Sequence, residues 1–362
     1  MTTTAAPPIA LALSGGGIRA MAFHLGVLKR MAERGLLDRV ARISTVSGGS
    51  LLTGLIYRSC DFRWPTSQQF LDKTYPWVGE QLCSRSLQTG AFLQLLRPWN
   101  LRYCLSRSNL LALELRKNWG LDVPLSAIGP TPEWSINGTT AENGKRFRFK
   151  GSEIGDWELG YAQAPSFPLG SALAVSAAFP IGFGPLALRT DSYTWKKRAW
   201  DAPKGSEQVV DVGTKRLHLY DGGLYDNLGV EPFFHPGKQQ PKHAGDYIIV
   251  CDAGAPLPAG LHSGPLNPFR IKRMMDIMSE QSRALRIRAF ANYLQTNPDA
   301  GAQLLIGTPV TGPDCASARF ARSFPTSLKR LSRGDFERLA GYGHAVAKDA
   351  KARFGLAYWS ER

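Results

Sequence analysis

Ile9-Ala10-Leu11-Ala12-Leu13-Ser14-Gly15-Gly16-Gly17-Ile18-Arg19-Ala20 decides the fold. Five apolar residues without alternation suit a strand buried on both faces, as in a parallel sheet. The glycines break the strand. From Ile18 a new rhythm begins, with Met21, Leu25 and Leu28 at i, i+4 and i+7, which predicts a helix with one apolar face. Lys29, Arg30 and Arg34 gather where its dipole is negative, and Gly35 stops it. Downstream, Arg42 to Val46 is a second short β-rich run and Ser50 to Arg58 is again helical. Strand, glycine loop, helix, strand, turn, helix is the order of parallel α/β architecture.

The glycine loop carries chemistry of its own. Gly15 to Ala20 satisfies the spacing G-x-G-x-x-G/A between a strand and a helix. Backbone N–H groups at a helix N-terminus hold negative charge, either a pyrophosphate or the oxyanion of a tetrahedral intermediate. A dinucleotide site also wants an acid at the end of the second strand. That strand ends instead in Thr45-Val46-Ser47-Gly48-Gly49. Ser47 sits in a strand-to-helix turn similar to the nucleophile elbow G-x-S-x-G, with Gly49 in place and Thr45 departing from the pattern. Read alone, such a serine serves equally well as a helix N-cap.

A nucleophilic serine needs a base. Of six histidines, His24 falls on the first helix, His218 in a strand, and His235, His243 and His262 in Pro/Gly-rich loops. That leaves His344, in Gly341-Tyr342-Gly343-His344, as the candidate for the Ser…Asp…His order of an α/β-hydrolase triad. The alternative is a carboxylate that takes the serine proton directly. Leu217 to Tyr220 leads into Asp221-Gly222-Gly223, and Tyr247 to Cys251 leads into Asp252-Ala253-Gly254, both reading as strands that end in acid-bearing turns. Asp226 and Asp252 are rival bases to Asp221.

Taken together, Ser14-Gly15-Gly16-Gly17-Ile18-Arg19-Ala20, Thr45-Val46-Ser47-Gly48-Gly49-Ser50 and Asp221-Gly222-Gly223 resemble the three ordered blocks of bacterial-type patatin-like phospholipases. Ala174 to Pro185 is similar to the alanine-rich helix and loop before that family's aspartate. The resemblance runs from about residue 9 to about residue 345. It implies a three-layer α/β fold, with a mostly parallel central sheet flanked by helices. It implies Ser47 as nucleophile, Asp221 as general base, and the N–H groups around Gly15, Gly16 and Gly17 as the oxyanion hole. Arg19 would steady that loop or bind a substrate phosphate, and Asn227 would support the aspartate turn. Ser14 stands where many members have aspartate. The implied reaction is hydrolysis of fatty-acyl esters of phospholipids or lysophospholipids, with no metal and no cofactor. Two other readings stand beside it: a triad esterase or thioesterase using His344, and a catalytically silent nucleotide-binding or regulatory module.

Outward from these blocks, residues 1–8 read as a disordered tail, 60–135 as a Trp-rich insertion or lid of short helices, and 346–362 as a helical extension. Asn137-Gly138 and Asn143-Gly144 predict hairpin turns. Ser166 to Leu188 is uncharged, but its prolines and glycines exclude a spanning helix, so it reads as a buried helix and a loop. Long helices are expected over 269–294 and 333–354. Five scattered cysteines form no CxxC pair, which argues against a zinc site and suits a reducing cytoplasm. The net charge of +15 favours anionic partners. Without a nucleic-acid-binding motif, the expected partner is an anionic phospholipid membrane surface, met peripherally. Arg319 to Arg353, with Phe320, Phe324 and Leu331, and Trp195 to Trp200 are the candidate docking faces.

Overall fold

The computed structural model describes residues 6–104, 106–179, 183–203, 205–254, 256–257, 260, 269–310 and 315–354. Strand β1 (Ile9–Leu13) is buried at every residue because a parallel neighbour lies on each edge: β2 (Val40–Thr45) on one side, Tyr247–Asp252 on the other. Gly16 and Gly17, both at positive φ (139° and 59°), turn the chain from β1 into helix α1 (Gly17–Ala32). Met21, Leu25 and Leu28 are buried as their spacing predicts, yet the opposite face is covered too. There α1 meets the helix Arg333–Phe354 almost backbone to backbone: a Cβ on Gly26 would lie 1.9 Å from Ala340 O, and one on Gly343 2.1 Å from Phe23 O.

Helix α2 (Gly48–Ser59) leaves the end of β2. Residues 60–132 then contribute α3 (Ser67–Gln69), α4 (Tyr75–Ser84), α5 (Leu87–Leu93) and α6 (Arg107–Lys117). Phe70, Val78, Leu82, Leu111, Leu115 and Trp119 from this stretch join the main core, so most of it is part of the fold's body. Strand β3 (Glu133–Thr140) runs parallel to β2 and starts an antiparallel extension through β4 (Arg146–Lys150), β5 (Glu153–Asp156) and β6 (Gly160–Gln163). Asn143-Gly144 makes the β3–β4 turn, as its sequence predicts. Asn137-Gly138 does not turn. Both residues lie inside β3, and Asn137 is only 2% exposed.

Helix α7 (Leu169–Ser176) is buried at every residue but the half-buried Ser171, and a loop follows it. Strands β7 (Leu186–Arg189), β8 (Trp195–Lys197), β9 (Gln208–Val209) and β10 (Arg216–Asp221) come next. After the short α8 (Gly223–Asp226), a small ladder of β11 (Phe234–His235) and β12 (Gln240–Pro241) precedes β13 (Tyr247–Asp252). Then come α9 (Phe269–Thr296), β14 (Gly301–Leu305), α10 (Cys315–Ser323) and α11 (Arg333–Phe354). The central strands β14-β13-β1-β2-β3 are all parallel.

Side chains of β1 alternate between two cores. Ile9, Leu11 and Leu13 join the cluster of α1, α2 and α11, while Ala10 and Ala12 join Leu228, Phe234, Ile248, Val250 and Phe290 beneath α9. Helices on both faces of one sheet give the three layers that the sequence implies. Pro7 and Pro8 of the expected tail are held through their carbonyls, by Arg39 Nη2 at 2.7 Å and Tyr247 N at 2.9 Å. Residues 1–5 of that tail and the end of the C-terminal extension (355–362) lie outside the described residues. No helix among the described residues is long and apolar enough to cross a membrane.

Candidate active site

Strands β2 and β10 occupy the same edge of β3 and run toward each other. The last residue of β2, Thr45, is opposite Ile136, and the last of β10, Asp221, is opposite Gly138. One residue of β3, Asn137, spans the gap between the two strand ends. Its Nδ2 donates to Thr45 O and Ser44 Oγ, both at 2.9 Å. The turn after β2 and the end of β10 therefore deliver Ser47 and Asp221 to one point.

Ser47 is the first residue past that strand end that can face the gap, and its backbone is held at φ 50°, ψ −117°. For a residue with a Cβ this costs about 1–3 kcal/mol and persists only where neighbours impose it. Here Ser47 N donates to Ser176 O at 3.0 Å and to Ser176 Oγ at 3.1 Å, while Ser176 Oγ donates to Asn137 O at 2.7 Å. Gly48 has no alternative: a Cβ there would lie 2.4 Å from Gly17 O. Thr45, the departure from the elbow pattern, is explained by tertiary bonding. Its hydroxyl accepts from Trp134 Nε1 at 2.9 Å and from Ser50 Oγ at 2.8 Å.

Asp221 is 4% exposed, and its carboxylate accepts hydrogen bonds from the Ser47 side chain and from Gly223 N (2.7 Å). Burial pushes its pKa up to about 7, against the opposing pull of those two bonds. A carboxylate that is half-protonated near neutrality is poised to take and return a proton. The rival acids are engaged elsewhere. Asp226 accepts from Leu228 N and Glu231 N, and Asp252 from Gly254 N and the Arg283 guanidinium. His344 lies far from this point, its Nε2 2.8 Å from Oε2 of Glu33 just past the C-terminus of α1, so the triad reading fails on geometry.

The glycine loop lies against Ser47: a Cβ on Gly15 would be 3.1 Å from Ser47 Cβ and 2.3 Å from Asn227 Oδ1. The three N–H groups expected as oxyanion donors are not equivalent. Gly15 N donates to Asn227 O at 3.0 Å and is spent, which corrects its place among the donors. Ser14 N and Ile18 N are likewise bonded, to Cys251 O and Ser327 O. Among the described residues no acceptor pairs with Gly16 N or Gly17 N, and Gly16 and Ser47 are partly exposed within a buried surround.

Arg19 is 2% exposed and turned away from solvent, contrary to a substrate contact. Its Nη2 and Nε donate to Ala253 O at 2.9 and 3.2 Å, and its Nη1 to Phe324 O at 2.7 Å, fastening the loop from behind. Sequence reasoning missed a second fastener, His24, whose Nε2 lies 3.1 Å from Ser14 O. Burial lowers its pKa to about 4, so the ring is neutral and Nε2–H donates to that carbonyl. Asn137 and Ser176 were also missed, because nothing local marks a residue that bridges two strand ends. Among the described residues no cluster of His, Cys, Asp and Glu could hold a metal.

Several known proteins share this arrangement of the chain. The patatin-like phospholipase family model matches residues 11–234. Cytosolic phospholipase A2 zeta of Mus musculus is 40% identical over 81 residues, 22% of this chain and 9% of that protein. The human GIVD cytosolic phospholipase A2 superposes with a TM-score of 0.57 at 15% identity, covering 96% of this chain and 62% of that one. The same human enzyme in complex with methyl gamma-linolenyl fluorophosphonate gives 0.55 at 18% identity, covering 96% and 58%. The chain spans less than two thirds of each of these relatives, and at such identities the superpositions speak for the fold. The family match covers well over half of the chain, from β1 to beyond the Asp221 turn, and the chain belongs to the patatin-like phospholipase family.

Proposed function

We propose that the protein is a serine-dependent lipid acyl hydrolase that cleaves fatty-acyl esters of phospholipids or lysophospholipids through a Ser47–Asp221 dyad. The observation that carries this reading is the strained Ser47 donating its hydroxyl proton to a buried, pKa-raised Asp221. Asp221 takes that proton as Oγ attacks the ester carbonyl. The oxyanion forms beside Gly16 N–H and Gly17 N–H, where each donor is worth about 3 kcal/mol. Collapse expels the alcohol, which recovers the proton from Asp221, and leaves an acyl-enzyme on Ser47. Water then gives a proton to the same carboxylate and attacks the acyl carbon. As the acyl–Oγ bond breaks, Asp221 returns that proton to Ser47 Oγ and the fatty acid leaves. Arg19 and His24 act as positioning residues, and Asp221 needs no histidine between it and the serine. The membrane is the source of the substrate, reached peripherally. The fluorophosphonate complex of the human relative supports the same class of probe here.

Ser47→Ala should abolish fluorophosphonate labelling and lower fatty-acid release by about 10⁴-fold or more. Asp221→Asn should lower release comparably, and His344→Ala should leave both unchanged. Activity surviving in Ser47→Ala, or lost in His344→Ala, would reject the dyad.

A further inference from the structure

Neither of the docking faces expected from sequence presents its apolar residues to solvent as a set. Leu331 is buried, Phe320 and Phe324 pack against the core, and Arg338 covers the Phe320 ring at 3.6 Å. Trp195 is buried, leaving only Trp200 exposed, against Trp157. A different segment does. Over ten residues from the end of α5, Phe92 (65%), Leu93 (52%), Leu96 (77%), Trp99 (65%) and Leu101 (57%) are exposed. The same segment buries polar Gln94 and Asn100, inverting the pattern of a water-facing helix.

That inversion is held in place. Gln94 Nε2 donates to the buried Glu114 at 2.9 Å, Asn100 Nδ2 donates to Gln94 O at 2.9 Å, and Trp119 Nε1 donates to Glu114 at 3.2 Å. The apolar side chains are thus fixed outward by the hydrogen bonds that Gln94 Nε2 and Asn100 Nδ2 make, anchored on Glu114 of α6, while the buried Gln94 Oε1 has no partner among the described residues. Just beyond the patch the chain is tied to the loop after α7. Ser106 Oγ donates to Pro185 O at 2.6 Å and Ser108 N to Phe183 O at 3.1 Å. The start of that loop accepts from Asp221, through Ala178 O at 3.1 Å, and carries the exposed Phe179. The patch therefore connects to the rim of the catalytic gap through one loop.

We infer that residues 92–102 form the wedge by which the protein docks on an anionic phospholipid surface; this rests on the lipid-hydrolase reading of Ser47. Contiguous exposed apolar side chains of this size mark interaction surfaces. Two features select a membrane over a second copy. Arg97 and Arg102 are exposed within the patch, so a symmetric dimer would place these cations against their own counterparts, in a chain of net charge +15. Anionic headgroups complement them, while Trp99 suits the interfacial zone.

The test uses the full chain and two variants, Leu96→Ser/Trp99→Ser and Arg97→Glu/Arg102→Glu. Sedimentation with phosphatidylcholine vesicles, with and without phosphatidylglycerol, reads docking; turnover of a short-chain p-nitrophenyl ester in solution reads the intact site. The apolar double variant should bind both vesicles about tenfold more weakly or worse. The charge double variant should lose affinity for phosphatidylglycerol vesicles only, together with the salt dependence of binding. Both should keep wild-type turnover of the soluble ester. Unchanged vesicle binding in the apolar variant would overturn the inference, as would a stable wild-type dimer that this variant dissociates. Wild-type protein that hydrolyses the soluble ester but ignores vesicles would overturn docking and spare the dyad. Vesicle binding without any hydrolysis would do the reverse.

Discussion

At the scale of single residues, the site depends on groups whose work is to hold others still. Thr45 is the clearest case. A glycine is the usual residue at that place in the elbow, but here a threonine hydroxyl receives the indole N–H of Trp134 and the hydroxyl of Ser50. Ser50 in turn lies 2.8 Å from Ser176, the residue that fixes Ser47 N. Thr45→Val keeps the shape and removes the acceptor, so it leaves a buried N–H and a buried O–H to find other partners. The expected cost is about 1–3 kcal/mol in urea unfolding, with fluorophosphonate labelling slowed because the elbow loosens. A variant as stable as wild type would show that Trp134 and Ser50 are satisfied without it. The three blocks that meet at the candidate site were legible in the sequence because each answers a local requirement: positive φ at Gly16 and Gly17, no Cβ at Gly48, and an acid at a strand end. That Gly15 is spent was not legible, since its acceptor, Asn227 O, lies more than two hundred residues along the chain.

At the scale of elements, the catalytic gap exists because β2 and β10 share an edge of β3, and that is where sequence reading failed. Asn-Gly is a strong hairpin signal, yet Asn137-Gly138 continues a strand, because Asn137 replaces the missing ladder partner with its own side chain. The sequence likewise predicted α11 but not which side chains between Arg319 and Arg353 are buried, so Phe320 and Leu331 were placed on a candidate docking face. The same limit hid the inverted segment after α5. Helix α9 shows how an element can act on the site without reaching it. Its Arg283 pairs with the buried Asp252 at the end of β13, and the next residue, Ala253, holds Arg19 and Ser14. Arg283→Met should leave Asp252 as an uncompensated buried carboxylate and cost about 3–5 kcal/mol. Adding Asp252→Asn should recover much of that loss in thermal unfolding. No recovery in the double variant would mean that Arg283 acts through packing rather than through its charge.

At the scale of the whole molecule, the proposed base ties activity to stability through one proton. Asp221 has an ordinary value of 3.8 and a folded value of about 7, raised chiefly by burial. The proposed dyad needs the carboxylate, so kcat/KM should rise about tenfold per pH unit up to about pH 7 and level off above it. Stability runs the other way. Below about pH 4 the carboxyl is protonated in both the folded and the unfolded chain, and burying it carries no ionic cost. Between about pH 4 and 7 the folded state binds more protons than the unfolded state, so this group's contribution to stability falls as pH rises. Above pH 7 the full penalty applies, up to about 4 kcal/mol from the difference between the two pKa values. Asp221→Asn keeps the acceptor for Gly223 N–H and removes the charge. It should therefore be inactive yet more stable than wild type at pH 8, with the two proteins converging toward pH 4. Denaturant unfolding across that range measures both limbs. Equal stability at pH 8, or an activity midpoint near 3.8, would mean that water reaches Asp221 freely. The active site would then not be the place where this fold gives up stability for reactivity.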